Sequence, residues 1–132
     1  MIGVDTNVLL RLFVNDDAAQ YEKSQRFFEG RSKASPAYVS LIVVVELAWV
    51  LAVRYGYRQE AIINLIETLA LSDDFVLERQ AIVLNAVDVC RAGASRMADV
   101  LVAMVGTVDG CTKTMTFDRD AAKRVPGMEL LK

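Results

Sequence analysis

Ile2-Gly3-Val4-Asp5-Thr6-Asn7 opens the chain with a short apolar run that stops on a carboxylate. A run this short reads as a buried strand, Ile2–Val4, rather than a helix. The residues after it, Thr6 to Val14, carry Val8, Leu9, Leu12 and Phe13 on a short helix. The same succession recurs along the chain. Asp17 caps a second helix that runs to about Gly30. A strand at Ala37–Val39 follows Pro36, and Ser40 caps a helix over 41–55 that Gly56 ends. Arg58–Leu71 is amphipathic, with Ile62, Ile63, Leu65, Ile66 and Leu69. Phe75–Leu77 is a strand, and 79–91 is a helix with a polar stripe of Asn85, Asp88 and Arg91. Helix 97–108 is closed by Gly110. Thr114–Phe117 is a strand, 119–124 a helical turn, and Met128–Leu131 a last edge strand after Pro126-Gly127. Short apolar runs alternating with helix-length segments predict βα units around a parallel sheet, an α/β fold.

At 132 residues the chain has the size of one domain, 1–132. Hydrophobic residues make up 54%, enough for a packed interior and against intrinsic disorder. The net charge is −2, whereas proteins that hold nucleic acid by counterion release are usually basic. An RNA- or DNA-handling role would therefore need a divalent metal to offset phosphate repulsion. There is no histidine, which excludes imidazole general bases, serine triads and zinc sites with histidine ligands. Cys90 and Cys111 are too few for an all-cysteine zinc site and read as reduced thiols in apolar surroundings. The first residues lack the basic and apolar segments of a signal peptide. The longest apolar run, Leu41–Val53, is interrupted by Glu46 and is shorter than a membrane span. A cytoplasmic protein with no membrane partner is expected.

Most of the 17 acidic residues suit solvated helix faces, among them Glu22, Glu29, Glu60, Glu67 and Asp88. Four instead end or interrupt apolar runs: Asp5, Glu46, Asp99 and Asp118. Glu46 has Ile42, Val43, Trp49 and Val50 as helical neighbours, which places its carboxylate near the interior. A buried carboxylate needs a partner or a task. Arg54 or Arg11 could pair with it. Asp5 and Asp118 end predicted parallel strands, the edge where α/β sheets form ligand crevices, and each could equally cap the helix after it. Asp99 falls in the first turn of its helix, where exposed N–H groups favour a carboxylate. Convergence of the four in one crevice would demand a cation. All-oxygen donors suit Mg²⁺ or Mn²⁺, which activates water and clamps phosphate oxygens.

Asp5-Thr6-Asn7 after an initial strand, Ser40 six residues before Glu46-Leu47, Ala98-Asp99 and Thr116-Phe117-Asp118-Arg119 resemble the PIN-domain ribonucleases, and most of all the VapC-type toxins of type II toxin–antitoxin modules. The likeness runs through nearly the whole chain in order. It implies a three-layer α/β/α fold with a central parallel sheet of about five strands and helices on both faces. It implies an endoribonuclease that cleaves RNA phosphodiesters by metal-activated water, with Mg²⁺ as cofactor and Mn²⁺ able to substitute. Asp5, Glu46, Asp99 and Asp118 match the family's catalytic and metal-binding acids, with Asn7 and Thr116 at supporting positions. Thr116 shares a strand face with Asp118 and could orient it. Asp120 reads as a first-turn helix acid near the rim. The stretch Arg91-Ala92-Gly93-Ala94-Ser95-Arg96-Met97 lacks the aromatic that the family often has before the third acid.

Basic residues such as Lys23, Arg26, Arg31, Lys33 and Arg119 read as solvated surface, with Arg11 and Arg96 the candidates for RNA backbone contact. The resemblance also implies a homodimer and a small antitoxin protein docking on apolar helix residues, for which Leu9, Leu12, Phe13, Phe27, Phe28 and Trp49 are candidates. Two other readings stand beside it. One is a phosphohydrolase or phospho-acceptor domain with Asp5 as nucleophile, although Lys113 precedes its strand rather than following one. The other is a non-catalytic partner-binding PIN domain.

Overall fold

The computed structural model describes residues 1–93 and 95–132. Ala94, in the stretch before Asp99, lies outside the described residues. In chain order the elements are β1 (Ile2–Gly3), α1 (Thr6–Leu10), α2 (Ala18–Glu29), β2 (Ala37–Val39), α3 (Leu41–Val53), α4 (Gln59–Leu71), β3 (Phe75–Leu77), α5 (Gln80–Gly93), α6 (Met97–Val108), β4 (Thr114–Thr116), α7 (Arg119–Arg124) and β5 (Met128–Leu130). Every predicted strand and helix is present, most within two residues of its expected ends. The first helix is the exception. It stops at Leu10 and continues only as turns through Leu12 and Phe13.

The caps follow local chemistry. Asp17 Oδ1 accepts the Gln20 N–H at 3.0 Å, and Ser40 Oγ accepts the Val43 N–H at 3.3 Å. Gly56 and Gly110 take the left-handed backbone that closes α3 and α6, with φ of 66° and 101°. Arg79 adopts the same region at φ 52° without being a glycine. Its carbonyl accepts from Ile82 and Val83 and so starts α5.

All strand pairs are parallel, but the single five-stranded sheet of the sequence reading is divided. β1-β2-β3 form one sheet and β4-β5 a second. Ile2 pairs with Ala37, and Ala37 in turn with Phe75; Thr114 pairs with Met128. The division has a physical cause in β1. It is two residues long, both are exposed, and Gly3 has no side chain to bury. The buried strand expected at Ile2–Val4 is thus a short edge. Its hydrogen bonds to Pro36 and Tyr38 lie on the β2 side, and no described backbone bond joins it to β4.

The core forms where α3, α4, α5 and α6 pack on one another. Leu47, Leu51, Ile62, Ile66, Val83 and Leu101 are fully enclosed there. Each such side chain contributes roughly 1.5–3 kcal/mol by leaving water. α3 meets this core with Leu41, Val44, Leu47, Ala48 and Leu51, at helical spacing. Among the described residues no helix is long and apolar enough to cross a membrane.

Candidate functional site

The parallel β1-β2-β3 sheet carries the first elements of the site on one edge, because parallel strands share the end at which they stop. Asp5 follows β1, Ser40 follows β2 and Glu78 follows β3. Asp5 is exposed and caps α1: the Thr6 N–H donates to its Oδ1 at 2.7 Å. Asn7 is exposed in the first turn of α1. Between them Thr6 is buried, and its Oγ1 has no hydrogen-bond partner among the described residues. Asp118 does for α7 what Asp5 does for α1, its Oδ1 accepting from the Ala121 N–H at 3.0 Å. The Asp118 N–H in turn donates to Thr116 Oγ1 at 3.0 Å, so Thr116 fixes the backbone of the acid two residues on. Capping is therefore realised at both strand ends. It occupies only one oxygen of each carboxylate and leaves the other available.

Asp99 sits half-buried in the first turn of α6. Burial pushes its carboxyl above the usual range, and the negative charges of Asp118 and Asp120 push it further, against the pull of Arg96. This places Asp118 and Asp120 within electrostatic reach of Asp99. Asp120 is also a first-turn acid, as its position predicts, and is bound by Arg124 at 2.7 Å.

Glu46 departs from the sequence reading. Its side chain is exposed, not near the interior, and neither proposed arginine reaches it. Arg11 is held by Asp16 and Gln20, and Arg54 lies over the Tyr55 ring. The reason is that α3 is apolar on nearly all sides, so hydropathy could not tell which side meets the core. Glu46 lies on the open side with Ile42 and Trp49, which are 79% and 53% exposed. There it lines a groove of about 860 Å³ between α3 and α6, whose wall also includes Asp99.

The groove holds two further acids that the sequence reading did not single out. Glu78 Oε1 accepts the Leu41 N–H at 2.8 Å and so helps to start α3. Asp109 pairs with Arg79 at 3.4 Å. Glu78 ends the run Phe75-Val76-Leu77 just as Asp5 ends Ile2-Gly3-Val4, so the strand-end signal was available for it.

The structure thus brings Glu46 and Asp99 into one groove and Asp118 within charge range of Asp99. Asp5 neither lines that groove nor is among the groups that shift Asp99. Among the described residues, none of the four acids forms an ion pair. Nor do any three carboxylate or cysteine side chains stand together as a ready metal-binding group. The donor chemistry fits a hard divalent cation: oxygens only, with Arg96 beside Asp99 in no ion pair with it. A complete coordination sphere would need side-chain movement that brings the acids closer.

Other expectations are corrected by their surroundings. Arg11 is tied to Asp16 and Gln20, which removes it as a free RNA contact, whereas Arg96 is exposed beside Asp99. Leu9 is core; Leu12, Phe13, Phe27 and Phe28 are partly buried, and Phe28 packs on Phe75. Of the proposed docking residues only Trp49 is exposed. Both thiols are free, but Cys111 is exposed rather than in apolar surroundings. Lys113, the cation considered for a phospho-acceptor site, is bound to Glu129 at 2.8 Å.

Comparison with curated proteins finds no match. A family profile described as PIN domain matches residues 2–127, nearly the whole chain. Parallel strands, intervening helices and acids at strand ends agree with that match, and the chain belongs to the PIN domain family, a group of α/β/α domains that are generally metal-dependent nucleases.

Proposed function

We propose that the protein is a Mg²⁺- or Mn²⁺-dependent endoribonuclease that acts in the cytoplasm as the toxin of a VapBC-type pair. Asp99 carries this reading: it is a half-buried carboxylate facing two other acids, in an ion pair with none of the cations among the described residues. Such an arrangement costs folding energy and is relieved by a bound cation. Asp99 and Asp118 would hold the ion, with Glu46 joining from the groove and Asp5 from the β1 edge.

When bound, the cation supplies Lewis-acid stabilisation of the phosphodiester and lowers the pKa of water. The chain supplies position. The Asp118 cap bond and the Thr116 hydroxyl hold that carboxylate so that its second oxygen is free. Asn7 is exposed two residues after Asp5 and would add an amide there, and Arg96, exposed beside Asp99, would offer a guanidinium to a phosphate oxygen. The open side of α3, with Ile42 and Trp49 exposed, supports a small antitoxin protein or a second copy in a homodimer as occupants of the groove.

The test is cleavage by the purified protein freed of any partner. Single-stranded RNA should be cut in Mg²⁺ or Mn²⁺ and left intact in chelator. Cutting that persists in chelator rejects the metal. An inert protein in both metals, across RNAs of varied sequence, rejects the nuclease.

A further inference from the structure

The last 20 residues, 113–132, carry five basic and three acidic side chains, a cationic surplus in a chain whose net charge is −2. Two of those acids are already neutralised. Glu129 is bound by Lys113 at 2.8 Å and Asp120 by Arg124 at 2.7 Å. The remaining cations, Arg119, Lys123 and Lys132, form no ion pair among the described residues. All three line one cavity of about 600 Å³, formed by α7, β4 and β5. Arg119 and Lys123 stand four residues apart on α7 and so share a face. Met115 and Glu129, paired across the two strands, line it as well. The three other cavities described each have a single cation in their lining.

Between two cavity-lining residues in the chain stands an exposed aromatic side chain. Phe117 is 79% exposed, although burying a phenylalanine is among the larger gains available to a fold. In the chain it lies between Met115 and Arg119, which line the cavity, and directly before Asp118. Unpaired cations along a cleft together with an exposed aromatic are the two elements of a single-strand nucleic-acid track.

We infer that single-stranded RNA crosses the β4–α7–β5 face, with backbone phosphates seated among Arg119, Lys123 and Lys132 and a base stacked on Phe117. This assigns the strand leading to the acids a path of its own, and it rests on the ribonuclease reading above. It also answers the charge problem locally: a net-acidic protein presents phosphate with a cationic surface at one end of the chain.

The experiment is a salt titration of binding to a labelled single-stranded oligoribonucleotide, using the full chain in chelator so that nothing is cut. Removing one phosphate-binding cation should reduce the slope of log affinity against log salt by about 0.7. The double variant Arg119→Gln/Lys123→Gln should therefore lower it by about 1.4. Lys23→Gln/Lys33→Gln, removing unpaired cations elsewhere, should leave the slope as it was. Phe117→Ala should weaken binding about tenfold at every salt concentration with the slope unchanged.

An unaltered slope in the Arg119/Lys123 variant, or an equal reduction in the Lys23/Lys33 variant, overturns the phosphate track. Undiminished binding by Phe117→Ala overturns the stacking platform. Cleavage in Mn²⁺ is measured alongside. A protein that cuts RNA but shows either result has lost the track and kept the nuclease; one that neither binds nor cuts has lost both.

Discussion

α3 has two sides of nearly equal hydropathy and opposite fates. Leu41, Val44, Leu47, Ala48 and Leu51 enter the core, while Ile42, Glu46, Trp49 and Val53 face outward. Both sets repeat at helical spacing, and both are mainly apolar. The single carboxylate among them marks the open side. A helix apolar all round is expected to be buried all round. When half of it is not, the exposed half lines a groove or meets a partner, and here the groove wall also includes Asp99.

Four measurements would break or sharpen this contrast. The largest effect is expected at the groove. Asp99→Asn should reduce RNA cleavage by at least a factor of about 100, since even residues that merely support a metal ligand cost 10–100-fold. Its melting temperature should hold or rise, because a half-buried charge facing other acids is removed. Normal cleavage by this variant would make the groove mere surface.

On the closed side, Leu47→Ala should cost about 2–5 kcal/mol, read as a fall in the denaturant midpoint at constant slope. A much smaller loss would mean that the two sides are equivalent. The thiols report the same division. Burial raises Cys90 to about 11, so at pH 8 roughly a thousandth of it is thiolate. A thiol reagent should label exposed Cys111 at once and Cys90 only as the core opens, and faster in Leu47→Ala. The smallest effect is expected from Trp49→Ser. Unfolding free energy of the isolated protein should change by less than about 0.5 kcal/mol, while self-association or antitoxin binding weakens. A loss of several kcal/mol would place the indole in the core.

Much of the fold was legible from the chain alone, because strand runs, caps and left-handed glycines are local. Asp17, Ser40, Gly56 and Gly110 act where their chemistry predicts. What was not legible depends on neighbours distant in sequence. Nothing in Ile2-Gly3-Val4 tells which side of its strand stays open, so the division into two sheets was hidden. Glu46 was misplaced because its flanks are apolar in either direction. Arg11 reads as a free cation in sequence because its partners, Asp16 and Gln20, are fixed only by how the chain turns after α1. The nearness of Asp99 to Asp118 could be expected from resemblance, and the charge effect on Asp99 agrees with it. Asp5 remains connected to them only by that resemblance.

The two strand-end aspartates each serve as a helix cap with one oxygen while keeping the other unengaged. Asparagine caps a helix about as well as aspartate, through the same kind of oxygen. A chain carrying asparagine at both places would keep both caps and the fold while losing two of the four carboxylates proposed to hold the cation. Architecture therefore gives no warning when chemistry is lost at these positions: a folded relative is no guarantee of a working one, and only the charge of two side-chain atoms separates them.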